Sequence, residues 1–221
     1  MTEESQFFNQ IGRMKGDERR DQILATAVNL FSRNGFRGTT TKEIAKAAGV
    51  SEAMVFRHFA TKEALYGAIL DDKACREDVS KFPWENNVAL QEAMAKGDDF
   101  QVFYNLAFSA LEKHQANVSF MRLIFYSALE EHELAARFFR DFVERVYDFI
   151  GDYISRRQDD GAFRKNIEPR VAVRAFLGML IHHSLHNILW DKEQRVLNIS
   201  NEDAARNFAE VLLDGVKKHD K

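Results

Sequence analysis

Two short helices crossing at a tight corner need a particular set of residues, and the stretch 40–59, TTKEIAKAAGVSEAMVFRHF, holds them in order. Thr40 and Glu43 stand at capping-box spacing, the hydroxyl serving an orphan amide while the carboxylate reaches back. Ile44, Ala45 and Ala48 form the apolar stripe of a two-turn helix. Gly49 falls where the chain must reverse, and a left-handed backbone angle costs glycine almost nothing. Val50 plugs the corner, and Ser51 caps a second helix in which Val55 and Phe59 point inward. Glu52, Ala53, Met54, Phe56, Arg57 and His58 are left for the outer faces. A small, apolar inside and a donor-rich outside make this a helix-turn-helix suited to phosphates and base edges.

The flanks extend the pattern. RRDQILATAVNLFSRNGF precedes it, with Ile23, Ala27, Leu30 and Phe31 at core-facing helical spacing from about Asp17 to Asn34. Arg37-Gly38-Thr39-Thr40 then leads into the corner. After it, Thr61-Lys62-Glu63-Ala64-Leu65 opens a fourth helix that continues through Ile69 and Cys75 and ends before Pro83. Residues 17–70 together resemble the DNA-binding domain of the TetR family of transcriptional regulators. The resemblance implies an all-α protein of about nine helices, an N-terminal three-helix DNA-binding head on a C-terminal helical body that binds ligand and dimerises. It further implies a homodimeric repressor, bound to a double-stranded DNA operator and released by a small-molecule effector, with no cofactor.

By the same resemblance, Thr40, Thr41 and Lys42 meet phosphate where the dipole of the motif's first helix assists. Ser51, Ala53, Met54, Phe56, Arg57 and His58 meet bases or nearby backbone, and Lys62 clamps a phosphate. Phe56 departs from the family's frequent tyrosine, which removes one phosphate hydrogen bond of about 1 kcal/mol net. Arg57 offers a planar fork to phosphate or to guanine in its place. Glu52 either accepts from cytosine or stabilises its own helix start, and Ala60 replaces a common proline.

Charge is distributed to suit such a division. Residues 1–70 hold ten Lys and Arg against eight Asp and Glu, a net +2, while the rest nets −5 from 21 against 26. A small local excess fits a few phosphate contacts per subunit, while the slightly acidic whole, net −3, argues against a general nucleic-acid coat. The lone Cys75 excludes an internal disulfide framework and agrees with a reducing cytoplasm. No signal-peptide pattern and no apolar run of membrane-spanning length occurs, so a soluble cytoplasmic protein is expected.

Residues 1–16 lack a helical period and read as a disordered arm, with Arg13 and Lys15 as optional minor-groove contacts. The head then occupies 17–66 and the body 67–221. Five or six helices follow Pro83, broken at Lys96-Gly97-Asp98, His114–Asn117, Glu131–Glu133, Asp159-Asp160-Gly161 and between Asp191 and Ser200. The longest, Leu134 to about Gln158, repeats Phe138, Phe142, Val146, Phe149 and Tyr153 along one face. Pro169 suits a first helical turn, and Ser200 with Asp203 marks the last helix start.

Thirteen of the nineteen phenylalanines lie beyond residue 76. Phe103, Phe108, Met121, Phe125, Phe142 and Phe176 fall on four different predicted helices and are the candidate lining of a cavity for a largely apolar effector, against ordinary core packing. The resemblance implies that helices at about 168–190 and 200–218 pair with their symmetry mates, with Phe176, Met179, Phe208 and Leu212 as the candidate seam. His182 and His186 share a helix face at metal-ligand spacing, but with no third ligand the cluster with His183 reads as a pocket patch or subunit contact. No Glu stands three residues before a histidine, and no phosphate loop, nucleophile elbow or zinc-protease motif is present. The competing reading is a helical ligand-binding or enzymatic protein whose head no longer reads DNA.

Overall fold

The computed structural model describes residues 16–76, 82 and 87–218, with 72–76 described for their backbone. The arm up to Lys15, Pro83 and the Cys75 side chain lie outside the described residues. Ten continuous helices are present among those residues, one more than the expected nine, and no strand. They are α1 (Gly16–Asn34), α2 (Thr41–Ala47), α3 (Glu52–His58), α4 (Lys62–Arg76), α5 (Val88–Lys96), α6 (Asp99–Ala116) and α7 (Val118–Leu129). Then α8 joins Glu133–Phe138, a π-helical turn Phe139–Val143 and Glu144–Asp159. Last come α9, Pro169–Leu185 with a final π turn His186–Trp190, and α10, Asn201–Val216.

The punctuation follows local chemistry. Gly97 and Gly161 take left-handed φ of +66° and +79° at the breaks after α5 and α8. Asp98 caps α6, Glu168 caps α9 ahead of Pro169, and Ser200 caps α10, each side chain accepting an amide in the first turn. The π turn in α8 shifts the register of its aromatic face, which simple helical spacing does not foresee.

Two apolar cores organise the helices. The body core gathers Phe103, Leu106, Ile150, Ile154, Val173, Phe176, Leu180, Ala205 and Leu213, where α10 packs on α6 and α9 bridges to α8. A buried polar brace locks α6 to α8. The Asp99 carboxylate, 7 % exposed, accepts from the Tyr153 hydroxyl (2.7 Å) and from Arg157 Nε and Nη2 (2.7 and 3.1 Å).

The head core contains Ile23, Ala27, Phe31, Ile44, Ala45, Ala48, Val55, Phe59, Leu65, Tyr66 and Ile69, and also Leu123 of α7 and Leu134 of α8. The head is therefore not sealed by its own helices. Its interior is completed by two leucines from the segment expected to belong to the body.

Candidate DNA-binding head and ligand cavity

The corner forms as the local residues dictate. Thr40 is the N-cap of α2, its hydroxyl accepting from the Glu43 amide (3.2 Å) while the Glu43 carboxylate accepts from the Thr40 amide (2.8 Å). The Thr40 backbone bond, then its hydroxyl, holds the Glu43 carboxyl below its usual pKa. Gly49 takes φ +65°, and Ser51 caps α3 by accepting from Met54 N (3.2 Å). The Thr41 hydroxyl donates to Glu52 at 2.6 Å, lacing together the starts of α2 and α3. That bond engages the Glu52 carboxylate within the head.

Thr40, Lys42, Ser51, Ala53, Phe56 and Arg57 are exposed, and Thr41, Met54, His58 and Lys62 are half-buried. Lys62 has a structural task that sequence reasoning missed. Its ammonium donates to the carbonyls of Phe36 (3.0 Å) and Thr39 (3.1 Å) and lies 4.1 Å from the Phe36 ring centre. Two of its three donors thus hold the α1–α2 turn.

The head is fastened to the body chiefly through α7. Arg122 Nε donates to the Ser32 carbonyl (3.2 Å) and the Tyr126 hydroxyl to the Arg33 carbonyl (3.2 Å). Glu130 accepts from the amides of Phe36 (2.9 Å) and Arg37 (3.3 Å). Gly35 makes room for this contact, since a Cβ there would meet Glu130 Oε1 at 2.7 Å. Beneath, the His132 ring packs on Phe36 and Tyr66, and the buried Tyr66 hydroxyl, its pKa pushed up to about 12 chiefly by burial, donates to the Leu123 carbonyl. Arg137 of α8 also pairs with Asp71 of α4. The spacing of Arg122, Tyr126 and Glu130, four residues apart each time, was a signal available in the sequence.

The other side of α7 faces a cavity of about 250 Å³. Met121, Phe125, Phe142 and Phe176 line it, as do Phe120, Ile124, Phe138 and Ile150. Phe103 and Phe108 do not. Phe103 is fully buried against Phe176 and Tyr153, and Phe108 stacks on Tyr104, so both serve core packing on α6. Polar groups are few in the wall: Lys113, His114 and Asn117. His114 Nδ1 lies 2.9 Å from Ser184 Oγ, and burial pushes its pKa down to about 4, so the ring is neutral at pH 7. The π turn of α8 carries Phe142 and Val143 into the wall.

The expected dimer seam is corrected in two of its four residues. Phe176 is fully buried and Leu212 only 5 % exposed, both held inside the body core and unable to meet a partner. Met179 and Phe208 are half-buried. The exposed apolar side chains are Val171, Ile181, Leu189 and Trp190 on α9 and Val211 on α10, and Ile181 also lines the cavity. His183 is buried, 3.1 Å from the Asn187 amide nitrogen and edge-on to Phe208. The His182 and His186 ring centres are 6.0 Å apart, and no group of three metal-ligating side chains assembles among the described residues. No described helix is long and apolar enough to cross a membrane.

A helix-turn-helix head carried on a helical body defines a DNA-binding transcriptional regulator, and similarity to known proteins agrees. Residues 23–69 match the bacterial regulatory proteins of the tetR family. Over 203 residues the chain is 24% identical to the uncharacterized HTH-type transcriptional regulator YvkB of Bacillus subtilis (strain 168), covering 88% of this chain and 95% of that protein. It is 28% identical over 89 residues to IcaR, the negative transcriptional regulator of the biofilm operon icaADBC in Staphylococcus aureus (strain Newman), covering 40% of this chain and 44% of that one. Among solved structures, NalD, the secondary repressor of the MexAB-OprM multidrug efflux pump in Pseudomonas aeruginosa, shares the fold with a TM-score of 0.68 at 20% identity, over 92% of this chain and 99% of its own. The family match thus falls on the head, and the likenesses over the whole length show the helical fold that carries it.

Proposed function

We propose that this regulator is a cytoplasmic, homodimeric repressor that reads an inverted-repeat operator through α3 and leaves it when a small, largely apolar molecule fills the cavity of the body. The repressor sense draws on IcaR and NalD, both described as negative regulators or repressors. Exposed Lys42, Ser51, Ala53 and Arg57 are the contacts we assign to DNA, with Thr40 and Thr41 shaping the helix start and Lys62 adding one donor. Two heads must reach half-sites about 34–36 Å apart, or a multiple of that.

One observation carries the mechanism: α7 touches both ends of the response. Phe120, Met121, Ile124 and Phe125 line the cavity, while Arg122, Tyr126 and Glu130 hold the last turn of α1 and the residues after it. A ligand that fits only one position of α7 moves the anchor of the head, changes the separation of the two α3 helices and prevents simultaneous engagement of both half-sites. Reversing occupancy from nearly full to nearly empty takes about 5.5 kcal/mol of differential affinity. The exposed apolar side chains of α9, Val171 and Leu189, are the proposed dimer contact.

The test is selection of binding sites from a random DNA pool, followed by affinity at two salt concentrations. An inverted repeat with a steep salt dependence is the expected result. Enrichment of no sequence, even after unfolding and refolding to strip bound ligand, overturns the reading. Dimers crosslinked at fixed head spacing should keep their DNA when effector is added, and normal release would overturn the mechanism.

A further inference from the structure

A second cavity, about 350 Å³, opens on the other side of the His114–Ser184 contact, between α6, α7, α9 and the loop 191–200. Its chemistry is unlike that of the first. Arg122, Lys192, Gln115, Asn187, Gln194 and Asn201 line it, and no Asp or Glu does. Arg122 makes one hydrogen bond, from Nε to the Ser32 carbonyl, which leaves both terminal nitrogens without a partner among the described residues. Those nitrogens are not sealed off, because the only buried unpartnered side-chain nitrogen or oxygen described is Arg164 Nε. Lys192 likewise has no ion pair among the described residues.

The loop is held in the shape that forms this wall. Gln194 sits at φ +52°, a conformation that L side chains rarely adopt. It is kept there by its own amide donating to the Asp191 carbonyl (2.9 Å), while the Asp191 carboxylate accepts from the amides of Arg195 (2.8 Å) and Val196 (2.7 Å). Backbone strain at a cavity wall is worth its cost only where the surrounding structure enforces it. Two cations facing a chamber without a carboxylate are favoured by an anion between them, and a guanidinium fork matches the paired oxygens of a carboxylate or phosphate.

We infer that this chamber is a second ligand site, for a small molecule bearing a carboxylate or phosphate, and that Arg122 ties its occupancy to the end of α1. The terminal nitrogens of Arg122 take two oxygens of the anion while Nε stays on Ser32, Lys192 supplies the second charge, and the amides of Gln115 and Gln194 orient the remainder. With its guanidinium held at both ends, Arg122 restrains the α1 terminus more tightly. An anion here thus steadies the head, where an apolar molecule in the first cavity displaces it.

Calorimetric titration of the whole chain, without DNA and at constant ionic strength, tests the site with two probes, inorganic phosphate and succinate. Saturable binding of at least one probe is expected, weakened about fivefold or more in Lys192→Ala and lost in Arg122→Gln. Lys113→Ala, in the first cavity, should leave it unchanged. Whichever probe binds identifies the oxyanion. No saturable binding of either below about 20 mM, or binding indifferent to Lys192→Ala, overturns the site. Hydrogen exchange at the amides of Gly35, Phe36 and Arg37 should slow with the probe bound, and unchanged or faster exchange overturns the link through Arg122. Since no DNA is present, these outcomes stand apart from the success or failure of the operator reading.

Discussion

Head and body are built from the same material, amphipathic helices, yet they carry function in opposite ways. The head's candidate surface lies within residues 40–62 and is arranged by bonds spanning a few positions, such as Thr40 with Glu43 and Ser51 with Met54. The body's cavity draws its wall from residues 106 to 181, brought together by long-range packing and by polar ties such as Asp99 with Arg157. Short-range order shapes the first. Long-range assembly makes the second a chamber whose shape depends on how its helices settle against one another. Between them, Leu123 and Leu134 close the head core, so the two regions are distinct in task and joined in stability.

The largest effect should come from breaking that junction. Tyr66 is fully buried, packed on Phe31, Phe36 and His132. Tyr66→Ala should cost roughly 3–5 kcal/mol by urea unfolding and shift one cooperative transition as a whole. Two separate transitions, with the second at its wild-type midpoint, would mean that head and body fold independently.

Next comes the pH response of the cavity. Folding holds His114 near pKa 4, below its ordinary 6.5, so the unfolded chain binds more protons between those values. Stability is complete above about pH 6.5 and falls as pH drops toward 4, by at most about 3 kcal/mol from this group. The buried His183 is shifted in the same direction by burial and by His186 and His182. His114→Gln should flatten the decline, read from unfolding curves at pH 7 and pH 5. Parallel curves for the two proteins would place the ring in water rather than in the wall.

Within the head, Gly49→Val should destabilise by about 1–2 kcal/mol and abolish operator binding, because a β-branched residue resists φ +65° although nothing lies within 4 Å of its Cβ. Melting and affinity both unchanged would contradict the turn geometry. The smallest effect on stability belongs to Arg57, exposed on α3. Arg57→Ala should leave the melting curve alone but either relax preference at one base pair or lower the salt slope by about one. Neither change would remove Arg57 from the DNA face.

Much of the head was legible because its signals are local. The capping box, the glycine corner and the inward Val55 and Phe59 are each read from residues three or four apart, and each is found where that spacing puts it. The body was legible only as helices and breaks. Met121, Phe125, Phe142 and Phe176 meet at the cavity, yet Phe103 and Phe108, equally aromatic and equally helical, do not. Composition alone cannot separate a cavity wall from a packed core. Phe176 and Leu212 were misassigned to the dimer seam for the same reason, since a helix with apolar residues on several sides does not declare which side faces out.

By itself the chain determined the helices, their caps and the helix-turn-helix, because backbone capping, glycine angles and apolar period act over one or two turns. Only the tertiary structure decided that Glu130 binds amides 94 and 93 residues away, that Lys62 serves the α1–α2 turn, that Asp99 braces α8, and that α7 faces the head on one side and a cavity on the other. Those pairings join groups distant in sequence, and their strength arises from desolvation and geometry that exist only once the helices have packed.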